Sequence, residues 1–68
     1  MEPWLERVIA EAEELEAKCD KLAGFIDSDL FPALEETEPE VALLLATQLA
    51  VMGAYVGILR LRITKATK

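Results

Sequence analysis

Apolar or small residues recur in the first part of the chain at Leu5, Val8, Ala12, Leu15, Cys19, Leu22 and Ile26, alternately three and four positions apart. On a helix this spacing makes one narrow seam of the heptad kind. The positions between are mostly Glu, Asp, Lys and Ala, so the opposite face is solvated. Pro3 suits a first helical turn, where a missing N–H leaves no bond unmade. Glu14 stands four residues before Lys18, an orientation that adds about 0.2–0.5 kcal/mol to an exposed helix. The pattern predicts a first helix over about residues 3–27.

Residues 28–37 read as a connection. Ser28, Asp29, Pro32 and Thr37 are turn and cap residues, while Phe31 and Leu34 can tuck the segment back onto the helices. There is room in it for one short helical turn. Thr37 followed by Glu40 matches a capping box, with Glu38 and Pro39 in the first turn, where both are tolerated. The second helix is expected over about residues 38–64. Its basic end complements the negative pole of the helix dipole.

This second helix is unusual, because no residue from Val41 to Leu59 is charged. One seam runs through Leu45, Leu49, Met52, Val56, Leu59 and Ile63. A second stripe holds Leu44, Val51 and Ile58, and a third is small: Ala42, Ala46, Ala50, Gly53 and Gly57. A helix apolar all round lies in a membrane or is buried on several sides. The stretch is about long enough to cross a bilayer, Gly53-x-x-x-Gly57 is a membrane packing motif, and Arg60 and Arg62 would suit a flank. Against this, the first helix needs a mate, and the second is the only candidate. Thr47 and Gln48 also fall mid-span. The balance favours a soluble assembly over a membrane protein.

The expected fold is therefore all-α: an antiparallel two-helix hairpin, one domain over residues 1–68, assembling into a homo-oligomeric helical bundle. The first helix covers one stripe of the second. Neighbouring copies would cover the others through Ala46, Ala50, Gly53, Gly57, Leu44, Val51 and Ile58.

Size strengthens this reading. A chain of 68 residues has a marginal core unless a disulfide, a metal or a partner chain helps it. Cys19 is the one cysteine and there is no histidine, so neither an intrachain disulfide nor a structural zinc site can form. A lone thiol fits a reducing cytosol. The first residues have no basic region leading into an apolar run, so a signal peptide is not expected. The localisation expected is cytoplasmic.

Net charge is −6, which argues against general nucleic-acid binding through a basic surface. The charge is unevenly spread. All 13 acids lie in residues 1–40, and residues 41–68 carry only Arg60, Arg62, Lys65 and Lys68.

Catalysis and cofactors are not expected. Glu11-x-x-Glu14 has the spacing of a metal-binding pair, but the second helix supplies no facing acids after Glu40. Ser28, Thr37 and Cys19 have no histidine as base. Binding is better supported. With a turn centred near residue 34, residue i falls near residue 68 − i, and one end of the hairpin gathers Trp4, Arg7, Arg60, Arg62 and Lys65. Guanidinium groups take phosphate by paired hydrogen bonds, and an indole offers a face to a base. Gln48, Tyr55 and Arg62 share one stripe of the second helix. Buried, such groups must be paired, across an interface or with a ligand.

The run Arg7-Val8, Glu11, Glu14-Leu15, Lys18, Lys21-Leu22, Phe25-Ile26, Phe31, Leu34, Leu44-Leu45, Gln48, Met52, Tyr55, Ile58-Leu59, Arg62-Ile63 resembles a family of small phage proteins related to one from a crAss-like phage. The resemblance covers about residues 5–64. Arg7, Phe25-Ile26, Gln48, Tyr55 and Arg62 are its sharper part. This chain departs by replacing charges of the second helix with Ala, Leu, Val and Gly. The resemblance implies an intracellular protein acting during infection of a bacterial host. In architecture it is similar to the phage sponges that hold cyclic nucleotide signals of bacterial immunity (anti-CBASS and anti-Thoeris proteins), an analogy at the level of fold.

The leading expectation is an oligomer that sequesters a small nucleotide-derived signal, a cyclic oligonucleotide or a cyclic ADP-ribose type, without cleaving it. Arg7, Arg60 and Arg62 would hold phosphates, Trp4 or Tyr55 would stack, and Gln48 would read a base edge. The alternatives are an acidic adaptor or inhibitor that meets a basic protein through Glu6, Glu13, Glu16, Asp20 and Asp27, imitating DNA charge, or a small membrane protein.

Overall fold

The computed structural model describes residues 2–67, which are all-helical, with no strand among them. Helix α1 spans Pro3–Ile26, α2 spans Leu30–Thr37 and α3 spans Pro39–Thr67. Lys68, counted above in the basic end, lies outside the described residues.

Glu2 is extended (φ −61°, ψ 135°), and its carbonyl accepts from the Leu5 and Glu6 N–H groups at 3.0 and 3.1 Å. Pro3 then begins α1 where its ring is compatible with the helix. At the far end Ser28 joins two helices. Its hydroxyl donates to the Phe25 carbonyl at 2.6 Å and accepts from the Leu30 N–H at 3.3 Å.

The segment read as a connection is mostly α2, so the chain has three helices where the pattern predicts two. Pro32 does not prevent this. It falls in the first turn of α2, where a backbone donor would have no helical partner anyway. Phe31 is buried and meets Phe25 edge to face, with ring centroids 6.1 Å apart. That aromatic contact anchors α2, as the tucking of Phe31 anticipates.

Glu38 is the one residue between α2 and α3 outside helix, with φ −141° and ψ 69°. Its N–H donates to the Leu34 carbonyl at 2.7 Å and its carbonyl accepts from the Ala42 N–H at 3.0 Å. The expected Thr37 capping box is not formed. Thr37 is the last residue of α2, and its hydroxyl donates back to the Ala33 carbonyl at 3.0 Å. The other boundaries also move: α1 stops at Ile26, and α3 runs on to Thr67.

The start of α1 lies against the end of α3. Val8, Ala12 and Leu59 form the buried cluster, flanked by Leu15 and Ile63, and Ala12 and Leu59 are fully buried. These are residues of the two seams read from the spacing. Leu5, Phe31 and Ala42 complete the small core.

Much of α3 is uncovered. Leu43, Leu44, Val51, Ile58 and Leu61 are 54–68% exposed. Ala46, Ala50, Gly53 and Gly57 are exposed as well. α3 is long and apolar enough to cross a bilayer by length and composition, with mean hydropathy 2.0 over its most apolar window.

Candidate functional site: the cleft beside Trp4

Trp4, Arg7, Val8 and Glu11 follow one another at three- and four-residue steps along α1, so they share a face. On α3 the corresponding series is Tyr55, Ile58, Arg62 and Lys65. Packing of Val8 against Leu59 sets these two series side by side at the end of the molecule.

Trp4, 45% exposed, borders two hollows in the surface there. One is an apolar groove of about 510 Å³, lined by Trp4, Ile58, Leu61, Arg62, Lys65 and Ala66. The other is a more polar cleft of about 280 Å³ between the helices, lined by Trp4, Arg7, Val8, Glu11 and Arg62. Arg62 belongs to both. Arg7, Arg62 and Lys65 therefore stand around a single indole, with Glu11 as the one carboxylate lining either hollow.

Tyr55 continues the site along α3. Its hydroxyl donates to Glu11 Oε1 at 3.1 Å. That hydrogen bond, followed by the charge of Glu11, raises the phenol pKa above its ordinary value, and Arg62 opposes the shift weakly. Glu11 and Tyr55 also line a third hollow with Glu14, Leu15 and Lys18.

Of the residues singled out from the sequence, Trp4, Arg7 and Arg62 share the cleft, and Tyr55 reaches it through Glu11. Arg60 does not join them. Its guanidinium pairs with Glu16 on the neighbouring face of α1. Residues 60 and 62 are about 200° apart around a helix, so one helix cannot aim both into the same cleft. Gln48 is also elsewhere. It is exposed, and its amide Nε2 lies 3.6 Å from Met52 Sδ on its own helix.

Glu11 is the residue that sequence reasoning undervalued. Its spacing with Glu14 is that of a metal-binding pair, which the lack of facing acids on the second helix sets aside in favour of a solvated acidic face. The signal that places it is the register, which sets it opposite the part of α3 that carries Tyr55.

Among the described residues there is no group of three or more His, Cys, Asp or Glu side chains that could hold a metal ion. The cleft instead offers two guanidinium groups for an anion, a flat indole for a planar ring, and a carboxylate that accepts from a donor.

A family model described as Sequestin matches residues 2–65. The chain belongs to the Sequestin family. The Sequestin match takes in every residue of the polar cleft, the Val8–Ala12–Leu59 core and Tyr55. It ends at Lys65, one residue short of Ala66 at the rim of the apolar groove. No curated protein and no solved structure matches the chain.

Proposed function

We propose that this chain is a homo-oligomeric binding protein that sequesters a small nucleotide-derived signal and does not cleave it. The observation that carries the reading is the convergence of Arg7 and Arg62 on the Trp4 indole, between α1 and α3, on a chain of net charge −6. An anion is attracted to few other places on such a surface. The family name, which speaks of sequestration, supports a holding role.

In this reading α1 and α3 form an antiparallel hairpin, and copies of it associate through the uncovered faces of α3. Arg7 and Arg62 take phosphate oxygens by charge-assisted hydrogen bonds, with Lys65 adding charge. Trp4 stacks on a base. Glu11, held by Tyr55, accepts from a base N–H. Arg60 and Gln48 are left out of the contact. The ligand class is a cyclic oligonucleotide or a cyclic ADP-ribose isomer. The resemblance to small phage proteins supports a role in the cytoplasm of an infected bacterium, against host defence.

The test is isothermal titration of folded protein with cyclic dinucleotides, cyclic trinucleotides and cyclic ADP-ribose isomers. Saturable binding with the ligand recovered intact is the expected result. No heat with any of them removes the proposal.

A second reading, α3 embedded in a bilayer, is favoured by its length and by its poor coverage, with 6% of the apolar window buried. Fractionation of expressing cells without detergent separates the two, since the first leaves the protein in the supernatant.

A further inference from the structure

Six exposed residues of α3, Leu43, Thr47, Ala50, Ala54, Gly57 and Leu61, are spaced four, three, four, three and four apart. That is a second heptad seam, on the exposed side of α3. Its ends are bulky and its middle is small. Nothing in the protomer requires the small middle: a Cβ added at Gly57 would meet no atom within 4 Å. The series is also symmetric about Met52. An antiparallel copy would set Leu43 opposite the partner's Leu61, Thr47 opposite the partner's Gly57, and Ala50 opposite the partner's Ala54.

Charge and shape choose the direction. The α2–α3 junction carries Glu35, Glu36, Glu38 and Glu40, all exposed, while the other end of α3 carries Arg62 and Lys65. A parallel pair would stack like charges at both ends. An antiparallel pair sets acid against base, and opposes the helix dipoles favourably. Each end also has a hollow beside its leucine. Leu43 borders one of about 250 Å³ with Phe31, Glu35 and Pro39, and Leu61 borders the apolar groove beside Trp4.

We infer that two copies of this chain pair antiparallel along α3, in the register that sets Leu43 against the partner's Leu61. The inference rests on the self-association contained in the proposed function and gives it a geometry. It also divides the work of the two hollows at Trp4. The partner's α2–α3 junction covers the apolar groove and brings its carboxylates to Arg62 and Lys65. The polar cleft on the Arg7 side stays open to a ligand. Arg62 then stands between the open cleft of its own chain and the carboxylates of the partner.

The experiment is cysteine cross-linking of the full chain with Cys19 replaced by serine. Leu43→Cys and Leu61→Cys proteins, tagged to differ in mass, are mixed and oxidised. A disulfide needs Cα atoms within about 7 Å, whereas positions 43 and 61 are about 27 Å apart along a helix. The expected product joins one chain of each kind, at least about tenfold over either homodimer, because only the antiparallel register brings these positions within reach. Sedimentation of the wild-type chain should show a dimer or a multiple of it. Gly57→Leu, which meets open space in the protomer, should keep full helicity and shift the protein towards monomer.

Prevailing homodimers, a wild-type monomer at micromolar concentration, or recovery only with detergent would each overturn the pairing. The titrations above report separately. Cross-linking without any ligand heat would remove sequestration and leave the pairing, and the reverse result would do the opposite.

Discussion

The Tyr55 hydroxyl donates to Glu11 Oε1 at 3.1 Å, tying α3 to α1 at the edge of the Trp4 cleft. The chain has a single tyrosine, so its titration can be followed without interference. Its pKa is raised above 10.0, first by this hydrogen bond and then by the charge of Glu11. A raised phenol pKa means that the folded state holds the proton more tightly than the unfolded one. The associated stability is fully present below pH 10 and is lost as pH rises through the folded pKa. Phenolate absorbance should therefore develop above pH 10.0 in the folded protein. Glu11→Ala should lower the pKa towards the ordinary value, since the two largest causes are removed.

Arg62 and Arg60 are two residues apart and do different things. Arg62 lines both hollows at Trp4, whereas Arg60 is engaged with Glu16. Arg62→Ala should weaken ligand binding by about tenfold or more, since a hydrogen bond to a charged group contributes about 1.5–3 kcal/mol. Arg60→Ala should leave affinity within about twofold and lower stability by at most about 1 kcal/mol, the usual scale of an exposed ion pair. Titration calorimetry and urea unfolding, run on both variants, check the pair of outcomes.

The core is small enough to hang on one side chain. Leu59 is the largest fully buried residue, packed between Val8 and Ala12. Leu59→Ala should cost about 2–5 kcal/mol, a large share of what so short a chain can have. Urea midpoints at one fixed protein concentration would show it, because the proposed association would also contribute to stability.

Gly24 lies inside α1 and has no neighbour within 4 Å of where a Cβ would sit. Gly24→Ala should stabilise the protein by about 0.5–1 kcal/mol through helix propensity alone. Thermal unfolding followed by circular dichroism measures this, and ligand affinity should not change.

The seams of α1 and α3 were legible because burial of Val8, Ala12, Leu59 and Ile63 is written in a three-four spacing that admits one helical face. α2 was less legible. Its eight residues are too few for a period to show, and Pro32 and Thr37 resemble breakers and caps unless the tertiary contact of Phe31 with Phe25 is known. For the cleft, the register placed Trp4, Arg7 and Arg62 at the same end. It could not separate Arg60 from Arg62, since that depends on rotation around α3 and on an acceptor at Glu16. The same register does set Glu11 opposite Tyr55, but the hydrogen bond between them shows only once both side chains are placed.

The uncharged stretch of α3 also works as a spacer of fixed length. Each residue turns the helix by about 100° and advances it by about 1.5 Å. Removing one residue between Met52 and Tyr55 would leave composition and hydropathy almost unchanged. It would still swing Arg62 by more than a quarter-turn relative to Leu45 and Leu49 on the covered face. Because Leu59 packs on Val8, Arg62 could then stay opposite Arg7 only by turning Leu45 and Leu49 off the covered face. The number of greasy residues before Arg62 is as much a part of the cleft as the arginine.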